Sequence, residues 1–138
     1  QSAAKHGERM AMFNIGGLFE HGKGVAQDYG EALSWYRKSA QAGDASAMRA
    51  IGRFHREGLG VEIDLVEAYA WHSVADLRFG AQEVAEAQVN RGELHQVAAQ
   101  LSPEQIERGR SRLDELESLT RPPKPEPGGP PGPGETRT

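Results

Sequence analysis

The sequence predicts an all-α solenoid of antiparallel helical hairpins. Three observations predict it: an internal repeat of 36 residues, helical spacing of the apolar residues in each copy, and a closing helix with one apolar side. Shifted by 36, the segment from Ala11 to Trp35 falls on Ala47 to Trp71 without a gap, and eleven of 25 positions are identical. Three of the identities are glycines (Gly16, Gly22, Gly24) and one is Trp35, which shared helical composition does not supply. The same shift carries Ala4 onto Ala40 and Gly7 onto Gly43. Residues 1 to 8 therefore read as the tail of an earlier repeat, making the chain a fragment of a longer array. The alternative is a simple lead-in to the first unit.

Each unit reads as helix, loop, helix. Helix A is expected from about Met10 to His21 and again from about Ala45 to Glu57. Ala11, Ile15, Leu18 and Phe19 mark the buried face of the first, and Ala47, Ile51 and Phe54 that of the second. Gly22 and Gly58 end these helices, where a left-handed residue is common. Val25 and Val61 are the apolar residues expected to plug the loop. Helix B opens at Asp28 and Asp64, each followed three residues later by glutamate, the pattern of a capping box. Ala32 and Ala68 permit close approach to helix A. Trp35, Tyr36 and Ala40 put apolar groups on two sides of helix B, as an inner layer requires. The paired tryptophans are expected in like surroundings.

After Gly80 the repeat decays. Residues 82 to 100 read as a third helical stretch interrupted by Gly92. Ser102-Pro103-Glu104-Gln105 then gives a strong helix start, with serine at the N-cap, proline at the first helical position and glutamine at the third. Ile106, Gly109, Leu113 and Leu116 form the buried side of that last helix, and its other sides are charged, as a terminal cap requires. The expected domain runs over residues 1–119: a truncated repeat at 1–8, repeats at about 9–44 and 45–80, and divergent capping helices at 81–119. Seven of eight prolines lie between Pro122 and Pro133, so residues 120–138 read as a Pro/Gly-rich, disordered tail. One PxxP of this tail, Pro122 to Pro125, lacks the basic residue that SH3 ligands carry at the usual offsets.

Charge and composition narrow the function. Lys plus Arg is 16 and Asp plus Glu is 20, a net charge of −4, which gives no general case for binding nucleic acid. There is no cysteine, hence no disulfide, thiolate metal site or thiol nucleophile. No apolar run approaches the ~18 residues of a membrane span.

The run Ile15-Gly16, Phe19, Gly22-Lys23-Gly24-Val25, Asp28, Glu31-Ala32, Trp35-Tyr36, Lys38, Ala40 and Gly43 resembles the Sel1-like repeat, a relative of the tetratricopeptide repeat. The second copy matches through Ile51-Gly52, Gly58-Leu59-Gly60-Val61, Asp64, Ala68 and Trp71. Leu101 to Gln105 is similar to the segment that often closes bacterial members. The resemblance covers residues 1 to about 117, and the Gly-x-Gly-Val-x-x-Asp core is quite specific. It departs from the family at His55, at His72 after Trp71, and at Asp76. The resemblance implies an α-solenoid serving as a protein-binding scaffold. It leaves the compartment open between bacterial periplasm or envelope and cytoplasm.

Catalytic readings are weak. His6, His21, His55, His72 and His95 form no compact ligand pattern. Gly22-Lys23-Gly24 lacks the length and ending of a phosphate loop, and its recurrence as Gly58-Leu59-Gly60 marks a structural turn. Ser2-Ala3-Ala4-Lys5 matches the nucleophile motif of penicillin-recognising enzymes, but without the downstream motifs. A β-lactam-binding hydrolase is therefore kept only as an alternative. No catalytic residue, metal or cofactor is assigned.

The expected function is non-catalytic binding of a protein or peptide on the concave face formed by the A helices. The candidate residues are Phe13, Asn14, Gly17 and Glu20 from the first unit and Arg49, Arg53 and Arg56 from the second. The three arginines follow i, i+4, i+7 spacing and so share one side of a helix. Guanidinium groups take carboxylates in two-pronged pairs, so the expected partner bears an acidic or carboxylate segment. Phe13 beside them is the expected anchor. The rival is self-association: a homodimer through the truncated N-terminal face.

Overall fold

A computed structural model describes residues 3–121. Among these the chain forms six helices and no strand: α1 Ala3–His21, α2 Tyr29–Gln41, α3 Ala45–Glu57, α4 Leu65–Arg78, α5 Val84–Ala98 and α6 Pro103–Thr120. Hairpins α1–α2 and α3–α4 stack through α2 and α3, and α5 and α6 both pack on α4. Ser2 and the Pro/Gly-rich segment from residue 122 lie outside the described residues.

The two repeats share their loop geometry and the N-cap of helix B. The amide of Asp28 donates to the Phe19 carbonyl at 2.9 Å, and that of Asp64 to the His55 carbonyl at 2.9 Å. Gly22 and Gly24 in one loop, and Gly58 and Gly60 in the other, all have positive φ, between 66° and 78°. The aspartate half of each expected capping box forms, Asp28 accepting from the Glu31 amide and Asp64 from the Glu67 amide, both at 3.0 Å. The N-cap amide that the glutamate would have bound is already taken by helix A. Glu67 is instead free to accept from Trp71 Nε1 and Arg112. At α6 the box is complete, with Ser102 Oγ and Gln105 Oε1 each accepting from the other residue's amide.

The core lies between the hairpins. Tyr36, Met48, Ile51, Phe54 and Val74 are buried, and Ala32, Ala47 and Ala68 are fully so, which lets the helices close up. The Tyr36 ring stands edge-on to Phe54, their centroids 5.6 Å apart, and tilted against Phe13 at 5.4 Å.

Three expectations differ from this geometry. First, α1 begins at Ala3, and Gly7 lies inside it without the positive φ of Gly43. Asp44 caps α3 by accepting from the Ser46 and Ala47 amides, whereas the equivalent position before Met10 is Glu8, a weaker cap, and the helix runs through it. Residues 3 to 8 are therefore continuous with helix A in this structure. Second, Ala11, Leu18 and Val25 are exposed although their counterparts Ala47, Phe54 and Val61 pack in the core, because among the described residues the helix packed extensively along α1 is α2, whereas α3 lies between α2 and α4. Third, the tryptophans differ. Trp71 is buried beside α6, while Trp35 is half-buried under the Lys38 ammonium, 4.4 Å from its ring centroid.

Candidate partner-binding groove

Helices α1 and α3 run along one side of the molecule with an open cleft of about 230 Å³ between them. Phe13, Asn14, Gly17 and Glu20 line it from α1, Arg49 and Arg53 from α3, and Glu86 from α5. Six of the seven candidate residues are thus brought together. Arg56 is not among them, and it pairs with Glu57 and Glu93 instead.

The residues do not all present themselves as expected. Glu20 is 5% exposed. It accepts a 2.7 Å hydrogen bond from Tyr36 Oη and a 2.7 Å ion pair from Arg53 Nη2, so it is a structural carboxylate and not a surface contact. Burial, and then the Glu20 hydrogen bond, push the Tyr36 phenol far above its ordinary value. Arg49 makes a two-pronged pair with Glu93, Nε to Oε1 at 2.7 Å and Nη2 to Oε2 at 3.1 Å. That bond raises the Arg49 pKa. Burial works to raise the Glu93 carboxyl, but the Arg49 hydrogen bond and the Arg49 and Arg56 charges outweigh it, and its pKa is lowered. All three expected acid-reading arginines therefore already hold carboxylates of their own chain. The sequence reading missed this because Glu93 lies in the non-repeating region, 44 residues from Arg49.

Phe13 and Asn14 have no charged partner to satisfy among the described residues. Phe13 is partly buried against Tyr36, and Asn14 is exposed. Gly17 keeps the floor low: a Cβ there would stand 3.8 Å from Tyr36 Oη, in ordinary contact.

Two other polar sites are buried. His72, at the position of Tyr36, is fully buried, and its Nδ1 lies 2.8 Å from Asn90 Oδ1. Asn90 Nδ2 donates back to the His72 carbonyl at 2.9 Å, which ties α5 to α4. His55 is buried with neither ring nitrogen hydrogen-bonded. Burial lowers the pKa of both histidines. No group of His, Asp or Glu among the described residues is arranged to hold a metal ion, and the Ser-x-x-Lys serine lies outside the described residues. No described helix is long and apolar enough to cross a membrane.

The Sel1 repeat model matches residues 9–44 and 45–75. Among solved structures, c5321, a protective antigen present in uropathogenic Escherichia coli strains and displaying an SLR fold, is similar at 30% identity with a TM-score of 0.72. The match covers 86% of this chain and 24% of that one. A Sel1 repeat protein from Oxalobacter formigenes is similar at 28% identity with a TM-score of 0.56, over 78% of this chain and 44% of that one. The chain thus spans less than half the length of either relative. No curated protein gives a significant match. Sel1 repeats are in general protein-interaction modules, typically non-catalytic. With two tandem matches in sequence and the same fold in both relatives, the chain belongs to the Sel1-like repeat proteins.

Proposed function

We propose that this protein is a non-catalytic adaptor holding a segment of another protein in the groove between α1 and α3. The observation that carries the reading is the convergence of Phe13, Asn14, Gly17, Arg49 and Arg53 on one open cleft, from helices a full hairpin apart in sequence. Phe13 is the anchor. An apolar side chain laid on it extends the tilted ring contact already made with Tyr36. Asn14 offers both a donor and an acceptor to a peptide backbone. Arg49 and Arg53 form the far wall, fixed in place by Glu93 and Glu20. The binding unit comprises residues 1–119, with the segment from residue 120 outside it.

An acidic partner segment would have to compete with Glu20 and Glu93 for the same guanidinium groups. The ion pairs therefore weigh against an acidic segment as the preferred occupant. In this reading the arginines act as a neutralised rim: Arg53 holds Glu20 through Nη2, and its remaining N–H groups serve backbone carbonyls of the bound segment.

The test is selection of displayed random peptides on the immobilised full chain, followed by titration of the enriched peptides. Phe13→Ala should weaken them about tenfold, the usual loss at an aromatic hot spot, with the helical circular dichroism unchanged. Failure to enrich any peptide, or enriched peptides that bind the Phe13→Ala variant equally well, would refute the reading.

A further inference from the structure

We infer that the groove extends into a subsite for a basic residue: a Lys or Arg of the partner peptide pairs with Glu83 and Glu86 while its apolar neighbour lies on Met10 and Phe13. The inference rests on the groove reading above and adds the chemistry of the occupant.

Beyond Phe13 the groove widens into a cleft of about 580 Å³. The two clefts share Phe13, Asn14, Ser46 and Glu86, so they form one continuous path. The volume is in the ~300–1,000 Å³ range of ligand sites. One wall is apolar: Met10 is 48% exposed and stands one turn before Phe13 on α1. The opposite wall is the start of α5. There Glu83 is exposed, and Glu86 is half-buried and accepts a hydrogen bond from Ser46 Oγ.

Charge complementarity selects the occupant. Asp44 is spent on capping α3 and on Ser39, with the Arg9 charge set against it. Arg49 and Arg53 are balanced by Glu93 and Glu20. Neither Glu83 nor Glu86 forms an ion pair with a described residue. Glu86 lies in the field of Arg49, which Glu93 already holds, so the two carboxylates leave the α5 edge of the groove net negative, across from its apolar wall. A cationic side chain next to Leu, Met or Phe satisfies both at once, and an acidic segment satisfies neither.

The peptide selection described above tests this. Enriched peptides should carry Lys or Arg next to a large apolar residue. The best of them should weaken roughly fivefold on Glu83→Lys with Glu86→Lys, about the loss of one or two partly exposed ion pairs, and should weaken further as salt rises. Glu83 makes no capping hydrogen bond, so Glu83→Gln alone, which adds no positive charge at the helix N-terminus, serves as a variant that leaves the start of α5 intact. Enriched peptides that are acidic or without charge bias, yet still depend on Phe13, overturn the inference and leave the groove reading standing. Absence of any binder removes both. A dimer of this chain that Met10→Glu dissociates would make a second copy the occupant, and the inference would fall.

Discussion

Two glycine-to-alanine substitutions should move stability in opposite directions. Gly52 lies inside α3, and a Cβ there would come within 2.8 Å of His72 Cδ2, 2.9 Å of Nε2 and 3.1 Å of Cε1. The ring cannot yield, because it is fully buried and held by Asn90. Gly92 lies inside α5, exposed, with nothing within 4 Å of its would-be Cβ. Alanine gains about 1 kcal/mol over glycine in a helix interior. Overpacking a rigid core costs typically about 1–3 kcal/mol, and three ring atoms inside the contact limit place Gly52 at the upper end. Gly92→Ala should therefore stabilise the chain by about 0.5–1 kcal/mol, and Gly52→Ala should destabilise it by about 1–2 kcal/mol. Urea unfolding followed by tryptophan fluorescence measures both, because Trp71 lies on α4 between the two sites. A stabilising Gly52→Ala would refute the argument, since it would mean that His72 is free to move off α3.

Several measurements probe the polar contacts. His72 and His55 have lowered folded-state pKa values, so the unfolded chain takes up protons first. Stability should be complete above about pH 6.5, the unfolded histidine value, and should fall through the window below it, where the unfolded chain is protonated and the buried rings are not. A melting temperature flat across that window would contradict the buried placement of the two rings. Glu93 acts in the same direction below the ordinary carboxylate range, whereas Asp44, raised by burial, acts in the opposite one. Glu93→Gln leaves Arg49 without its paired carboxylate and should cost about 1–2 kcal/mol, between an exposed and a buried ion pair. A loss below about 0.3 kcal/mol in urea would show the pair to be idle. Ser102→Ala removes one side of the capping box and should cost about 1 kcal/mol, read in the same assay.

The frame of the molecule was legible because it is set by residues whose requirement is local. Left-handed backbone at Gly22 and Gly58, and capping at Asp28, Asp64 and Ser102, depend on the next few residues and recur at a fixed spacing. Exposure was less legible. Nothing in Ala11 or Leu18 distinguishes them from Ala47 and Phe54 until it is known which helices lie alongside. The arginine pairings were not legible at all, since Glu93 belongs to a helix outside the repeat and Glu20 reads as one more surface acid. Spacing shows which side chains share a helix face, but not what the next helix places opposite them.

That difference bears on what the groove can recognise. Positions equivalent under the 36-residue shift keep the hairpin: Gly16 and Gly52, Gly22 and Gly58, Asp28 and Asp64. The groove positions do not match at all. Phe13 answers to Arg49, Gly17 to Arg53, Glu20 to Arg56, and Tyr36 to His72. Because each pair differs in size or charge, side chains of neighbouring units complement one another: Arg53 reaches over the floor left by Gly17 to Glu20, and Glu20 is anchored by Tyr36. A surface lined by identical residues would repeat its charge along the groove, with no single register for a bound segment. Here the repeat supplies only the spacing of the wall. The unlike residues cancel their own charges along α3 and leave a negative edge at α5, so in the proposed reading a bound peptide would meet an apolar step and a charged step in a fixed order.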